Sequence, residues 1–254
     1  MENLKNNKDR IEQEKSFHDK RFGEKDIREK LNKYYSVNTH VWNRYTEIIS
    51  EHCKGKKLLE LGCGTAINAE KWIDLGAILT GIDISSEGIK KAKEKISNKN
   101  LKADFFVMNA EKTDFPDNTF DIVIGTGIIH HLDLISAYEE IHRILKINGH
   151  AIFLEPLGHN IFINLYRRLT PQMRTKDEHP LIMKDIKLLK QYFKKVEVEY
   201  FTLFTLLAVP FRKSPIFKKL LATLKAIDDT IFSLLPFMGR YAWMAIIHAQ
   251  YPKK

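Results

Sequence analysis

The feature that most constrains this chain is Lys57-Leu-Leu-Glu-Leu-Gly-Cys-Gly-Thr65, an apolar run that breaks into a glycine loop. Leu58, Leu59 and Leu61 on successive positions read as a strand buried on both faces, which requires a parallel sheet. Gly62 and Gly64 carry no Cβ, so the backbone turns sharply there and approaches a ligand. The run over 66–75 predicts a helix whose first N–H groups and positive dipole end face the loop. A second apolar run, 77–82, ends on Asp83, nineteen residues beyond Gly64. Strand, glycine loop, helix and strand-end carboxylate form the layout of a βαβ nucleotide-binding unit, in which the carboxylate takes ribose hydroxyls.

The same residues narrow the nucleotide. A dinucleotide fingerprint places a third glycine three positions after the second, for close helix packing. Ile67 stands there. Glu60 lies just before the loop, and its carboxylate would repel a pyrophosphate while suiting a cationic amino-acid portion. S-adenosylmethionine, with two ribose hydroxyls, a sulfonium and an ammonium, fits both Glu60 and Asp83.

A chain of 254 residues is ample for one core. No apolar run is long enough to span a bilayer, and the polar residues 1–8 carry no signal-like apolar stretch. Two cysteines offer no disulfide framework, so a reducing, cytoplasmic setting is the expectation. The net charge of +9 is concentrated: residues 156–225 hold fourteen Lys/Arg against five Asp/Glu. That stretch is also rich in aromatic residues.

In chain order, residues 1–25 alternate charges without an apolar stripe and read as a mobile or loosely helical arm, with Ser16 to Asp19 and Phe22 as its docking residues. Val37, Val41, Tyr45, Ile48 and Ile49 recur at helical spacing, in a helix expected on the sheet edge or over the ligand mouth. Tyr34, Tyr35 and Trp42 would lie near a ligand or simply pack. Ser85 or Ser86 caps a helix with Ile89, Ala92 and Ile96 inward. Strands follow at 103–108, 120–124 and 150–154, and a helix capped by Asp133 stops at Asn148-Gly149. Strands alternating with helices predict an α/β, doubly wound, mostly parallel sheet with helices on both faces. Ligands in such sheets lie at the carboxyl ends of the strands, a rule that gathers Glu60, Asp83, Asn109, Thr126, His130, His131 and Glu155 on one rim. After Pro156 the alternation breaks. Helices are expected at 161–169 and 182–193, a strand around 196–200, an amphipathic helix from 216 to 235 with Asp228 and Asp229 on its polar side, and a last strand at 241–247.

Glu60-x-Gly62-x-Gly64, Asp83, Asn109-Ala110-Glu111, the strand from Phe120 to Ile124 and Gly127-Ile-Ile-His-His-Leu132 together make the chain resemble the class I S-adenosylmethionine-dependent methyltransferases, specifically their small-molecule branch, type 11. The resemblance covers roughly 57–155. It implies a seven-stranded Rossmann-like sheet whose last two strands are an antiparallel pair. It implies that Glu60, Gly62, Cys63 and Gly64 line the methionine side, that Asp83 holds the ribose and Ile84 the adenine, that Asn109, Ala110 and Glu111 border the ring, and that Thr126 lies under the sulfonium. It also implies S-adenosylmethionine as cofactor and S-adenosylhomocysteine as product. The expected division is 1–50 as arm and cap helices, 51–155 as cofactor-binding core, 156–240 as a helical substrate-side cap containing a core strand, and 241–254 as the final strand.

Methyl transfer from a sulfonium is an in-line displacement that depends on positioning, and a general base helps a hydroxyl or protonated amine. His130 and His131 are the candidates for that base. Tyr34, Glu155, His159, Tyr166, Arg174 and His179 are candidates for substrate contact. Several of these could converge on a metal, but no His-Glu-x-x-His spacing supports it and no metal is expected. Arg167 and Arg168 could bind an anion or sit on a helix surface. The leading expectation is methylation of an O or N atom of a small, apolar or amphipathic acidic molecule under a roof built by 216–235. The alternatives are a membrane-surface lipid methyltransferase that touches the bilayer through 201–235, an RNA-directed enzyme using the basic stretch, and a cofactor-binding scaffold without chemistry.

Overall fold

The strand read first lies inside the sheet. β1 (Lys57–Leu61) is exposed only at Lys57, and parallel strands flank it on both sides: β2 (Ile78–Asp83) and β4 (Phe120–Thr126). A computed structural model describes residues 2–23, 36–169 and 179–254 of the chain. β3 (Asp104–Val107) joins β2, and β5 (Leu145–Pro156) joins β4, both in parallel. β7 (Met244–Pro252) runs antiparallel between β5 and β6 (Phe193–Phe201), giving the seven-strand order β3-β2-β1-β4-β5-β7-β6. The order reverses between β1 and β4, the switch point at which ligands bind in doubly wound sheets.

Side chains alternate across a strand, so each strand feeds both layers. Leu58, Leu79, Ile122, Ile124, Ile152 and Ile246 pack on one face against Tyr45 of α2 (Thr39–Ser50), Trp72 of α3 (Ala69–Asp74) and Ala92 of α4 (Ser86–Asn98). Leu59, Leu61, Val123, Phe153 and Ile247 pack on the other against Tyr138 and Ile141 of α5 (Leu134–Ile144) and Ile186 and Leu189 of α7 (Met183–Tyr192). The two expected caps are made: Ser85 Oγ accepts from Gly88 N at 3.0 Å, and Asp133 Oδ1 accepts from Ser136 N at 2.9 Å.

Several elements depart from the sequence reading for identifiable reasons. Residues 2–23 form one continuous helix, α1 (Glu2–Gly23), rather than a mobile or loosely helical arm. Its docking is largely polar, which is why no apolar stripe announces it. α2 crosses the sheet face instead of its edge, and the buried Tyr45 hydroxyl reaches the Gly125 carbonyl at 3.0 Å. The helix expected from residue 66 begins only at Ala69, because Ala66 turns at φ 51° and Lys95 Nζ donates to the Ala66 and Ile67 carbonyls. α5 ends at Ile144, four residues early, because the Arg143 and Ile144 carbonyls accept from Asn118 and Thr119 N–H of the turn before β4. The last strand is Met244–Pro252, preceded by a 3₁₀ turn (Pro236–Tyr241).

Beyond β5 lie α6 (Ile161–Leu169) and α7; beyond β6 lie a 3₁₀ segment (Thr205–Phe211) and α8 (Phe217–Leu234). The ends of β5 and β6 are at one end of the sheet, since Pro156 and Phe201 both pair with Met244. Asp228 of α8, placed on a solvent face by periodicity, is buried instead. Its carboxylate accepts from the backbone N–H groups of Leu203, Phe204 and Thr205 and from the Thr205 hydroxyl, at 2.7–3.2 Å. It thereby closes the loop leaving β6 and fixes α8 to the sheet. Asp228→Ala strands those buried donors and lowers stability by about 2 kcal/mol, or about 4–8 °C in Tm; a thermal melt within a degree of the parent contradicts this role.

Candidate active site

The carboxyl ends of β1, β2, β3, β4 and β5 bring the sequence-derived candidates to one rim. Gly62 and Gly64 adopt φ of 64° and 52°, in the left-handed region that favours glycine. A Cβ on Gly62 would meet Ile128 Cδ1 at 2.9 Å, and one on Gly64 would meet the Phe22 ring at 2.9 Å. The loop is therefore a close backbone cradle. Cys63 between them is buried, its N–H donates to the Ile82 carbonyl, and burial pushes its thiol well above the usual range, so it packs rather than reacts.

Two carboxylates flank the loop. Asp83 Oδ2 accepts from Gly64 N and Oδ1 from Ser85 N, both at 2.8 Å, so the end of β2 holds the loop from beneath. Burial still pushes its carboxyl above the usual value, against the pull of those two N–H groups. Each oxygen keeps a further lone pair for a ligand hydroxyl. Glu60 is buried with Oε2 in no hydrogen bond of good geometry, the Trp72 and Asn68 side chains lying beside the carboxylate, and desolvation pushes its carboxyl up to about 7. An orphaned carboxyl oxygen beside a glycine cradle is a site built for a cationic donor.

Asn109 Oδ1 accepts from Glu111 N at 2.9 Å, in the turn leaving β3, with Ala110 buried and Ile84 half-buried nearby in sequence register. Glu111 is engaged by protein groups: Oε1 accepts from Asp133 N at 2.8 Å and from Arg10 Nη2 at 2.5 Å. Thr126 is exposed at the end of β4.

The 3₁₀ turn after β4 (Ile129–His131) carries the two histidines. Glu155, with no exposed surface, accepts from Ile128 N and Ile129 N through Oε1, at 2.9 Å each. Its Oε2 lies 2.7 Å from His130 Nδ1. A carboxylate accepting there makes Nδ1 the donor and leaves Nε2 as the basic nitrogen of the neutral ring. Ile128, two residues before His130, is the side chain that closes on Gly62, so the dyad and the cradle share one turn. His131 instead faces α1: its Nδ1 is 3.5 Å from Glu14 Oε2, and its ring lies 5.5 Å from that of His18.

α1 lies across this mouth. Besides Arg10 and Glu14, Asp19 Oδ1 accepts from the Ser85 hydroxyl at 2.5 Å and from Glu87 N at 3.3 Å. Phe22 packs over Gly64 and Gly88. The docking of Asp19 and Phe22 was legible from sequence; Arg10 and Glu14 were missed, because a charged residue in a charge-rich run carries no distinguishing signal.

The substrate candidates are less gathered. His159 follows β5 and is half-buried, and exposed His179 touches the dyad through its backbone N–H, which donates to the His130 carbonyl at 3.3 Å. Tyr34, Arg174 and the side chain of Tyr166 lie outside the described residues. Arg167 is half-buried and Arg168 exposed on α6. Several of the apolar residues expected to roof a pocket are turned to solvent. Ile161 is 74 % exposed and Leu169 71 %, with Phe162 and Leu165 beside them; Leu234 is 73 % exposed, with Ile216, Leu235 and Phe237 also open. Phe217, Leu220, Leu221 and Leu224 of α8 do pack, against Val37, Ala208 and Val209.

Residues 59–153 match the family model described as "Methyltransferase domain". The chain is 35% identical over 133 residues to the ubiquinone/menaquinone biosynthesis C-methyltransferase UbiE of Pseudoalteromonas translucida, covering 49% of this chain and 53% of that one. It is 31% identical over 139 residues to the demethylmenaquinone methyltransferase of Listeria monocytogenes, covering 52% and 59%. The match thus spans little more than half the length of these curated relatives. Among solved structures, the phosphoethanolamine N-methyltransferase 2 of Haemonchus contortus superposes with a TM-score of 0.61 at 20% identity, over 84% of this chain and 53% of that one. At that identity the likeness is one of fold.

Proposed function

We propose that this chain is a class I S-adenosylmethionine-dependent methyltransferase of the small-molecule branch with the type 11 domain, and that it methylates a lipid-soluble acceptor of hydroxylated-ring type at a membrane surface. The cofactor is S-adenosylmethionine, which supplies an electrophilic methyl group when bound. The residues present fit it. Glu60, with its orphaned oxygen, would take the ammonium; the backbone at Gly62 and Gly64 would pass close to the methionine portion; Asp83 would take the ribose hydroxyls; Ile84, Asn109 and Ala110 would border the adenine. Asp19 and Phe22 of α1 would close the mouth over it.

His130 is the group suited to act on the acceptor. With Nδ1 committed to Glu155, Nε2 removes a proton from a ring hydroxyl as the methyl group is transferred. Loss of that proton raises electron density on the oxygen and the ring carbons beside it, so either can form the new bond as the methyl–sulfur bond breaks; attack by carbon is completed by loss of that carbon's hydrogen as a proton, with the hydroxyl reprotonated. Glu155 does not receive the proton; it fixes the ring's tautomer and supports the imidazolium that forms.

One observation carries the choice of acceptor: the apolar side chains of α6 that face solvent within the stretch holding the chain's surplus of Lys and Arg, joined by Ile216 before α8 and by Leu234, Leu235 and Phe237 at its far end. Apolar side chains that enter the acyl boundary and cations that meet anionic headgroups are the two components of interfacial binding. No helix among the described residues is long and apolar enough to cross a membrane. The names of the curated relatives, which concern quinone biosynthesis, point to the same acceptor class. The leading sequence expectation, an acidic molecule under a closed roof, has less support because both ends of the roof's apolar stripe, Ile216 and Leu234, and the neighbouring apolar residues of α6 are open to solvent.

The test is incubation with methyl-labelled S-adenosylmethionine and a total metabolite extract split into organic and aqueous phases. Label is expected in the organic phase, and the Ile161→Asp/Leu165→Asp double variant should lose sedimentation with vesicles of anionic phospholipid. Label confined to the aqueous phase, or to RNA, overturns the proposal.

A further inference from the structure

Five residues before Glu155 on β5, three imidazoles converge. His52 lies in the turn after α2, His150 midway along β5, and His248 on β7. His150 pairs across the sheet with Gln250, two positions from His248, so alternation puts both rings on one face. His150 Nδ1 lies 3.0 Å from His248 Nε2, and the His52 ring stacks on His150 at 4.1 Å between centroids. One nitrogen from each ring lies within 4.8 Å of the other two. Five residues of extended strand put this cluster about 16 Å from the dyad.

We propose that His52, His150 and His248 form a three-histidine site for a first-row divalent cation of the zinc type, separate from the methyl-transfer site. Tetrahedral zinc with nitrogen ligands at about 2.0–2.1 Å sets its donors about 3.3 Å apart. One pair already stands near that separation, and the third ring needs a shift on the order of 1 Å, within reach of a residue in a turn. Three imidazoles cannot satisfy one another fully by hydrogen bonding, since each pair shares a single proton.

The surroundings supply the rest of a zinc environment. A cavity of about 600 Å³ opens beside the cluster and leaves room for a water in the fourth position. Glu197 stands directly across the strand pair from His248, with Oε2 held by Lys195 Nζ at 2.8 Å and Gln250 Nε2 at 2.7 Å. Such a carboxylate can orient a bound water or a ligand ring. A cation here would tie the turn after α2 to β5 and β7, and so hold the helix whose Tyr45 braces Gly125 at the switch point.

Tag-free protein is titrated with zinc chloride by calorimetry and melted with and without the metal. One zinc per chain is expected, with a rise in Tm. His52→Ala and His248→Ala should each weaken binding by at least about 100-fold, more than loss of an outer-sphere partner. Glu14, His18 and His131 offer a second three-ligand grouping, so His18→Gln is the control and should keep the zinc. Because His248 lies in the core sheet, His52→Gln in the exposed turn repeats the test without a strand substitution. Copper(II) in place of zinc should show imidazole nitrogen couplings by electron paramagnetic resonance that His52→Gln reduces. No binding, binding retained in the His52 variants, or binding lost in His18→Gln overturns the site.

Discussion

Replacing His130 by alanine lowers kcat by about 10²–10⁴-fold, the range a positioned general base supplies, while cofactor affinity stays at its parental value. Affinity is spared because Glu60, Asp83 and the glycine backbone, which would hold the cofactor, do not bond to His130. Glu155→Gln is the sharper experiment. The amide oxygen still accepts from Ile128 N and Ile129 N, so the turn that closes on Gly62 keeps its shape. The amide nitrogen then faces Nδ1 as a donor, which moves the ring's proton to Nε2 and leaves no base toward the acceptor. The loss should therefore appear in kcat with KM for the donor unchanged. Single-turnover transfer of labelled methyl to the organic-phase acceptor separates chemistry from product release. Full activity in both variants assigns the dyad to holding the loop alone.

That this pair could be half read from sequence follows from where its members sit. Glu60, Gly62, Gly64 and Asp83 lie within a single βαβ unit, where spacing along the chain translates directly into geometry. His130 and Glu155 come from different strand ends. The rule that ligands gather at carboxyl ends put them on one rim, but only the parallel register of β4 and β5 shows that they touch. Asp228 was misread because helical periodicity sorts residues by the helix's own axis, and a loop folding back over the polar face is invisible to it. α1 was read in part: the docking of Asp19 and Phe22 was expected, but Arg10 and Glu14 were missed, because pattern methods detect apolar faces, not dispersed polar contacts. The cluster of His52, His150 and His248 is spread over nearly 200 positions of the chain, so no local motif could announce it.

Cofactor affinity should rise as pH increases toward about 7 and fall again above about 8, and Glu60→Gln should remove the rising limb. Burial pushes the Glu60 carboxyl up to about 7, so below that pH the free protein holds it protonated. A protonated carboxyl gives the ammonium of the cofactor no counter-charge. Binding must then release a proton, and affinity grows by up to about tenfold per pH unit until Glu60 ionises by itself. Above about 8 the α-amino group of the ligand loses its own proton and the pair weakens. At the optimum, loss of a charge-assisted contact in a buried site should cost Glu60→Gln about 30–100-fold in affinity. The same group makes the opposite prediction for the unliganded fold. Between the unfolded carboxyl value of about 4.3 and about 7, the folded state binds more protons than the unfolded one, so stability falls as pH rises through that window. The full span amounts to about 4 kcal/mol at most, and Glu60→Gln should abolish it. The variant is therefore expected to melt higher than the parent at pH 8 without cofactor, and lower than the parent when both are saturated with the parent's working cofactor concentration. Calorimetric affinities and thermal melts over pH 5.5–8.5 check both signs. A cofactor affinity flat across that range, with an unchanged melt for Glu60→Gln, would place the Glu60 carboxyl outside the binding of the cation.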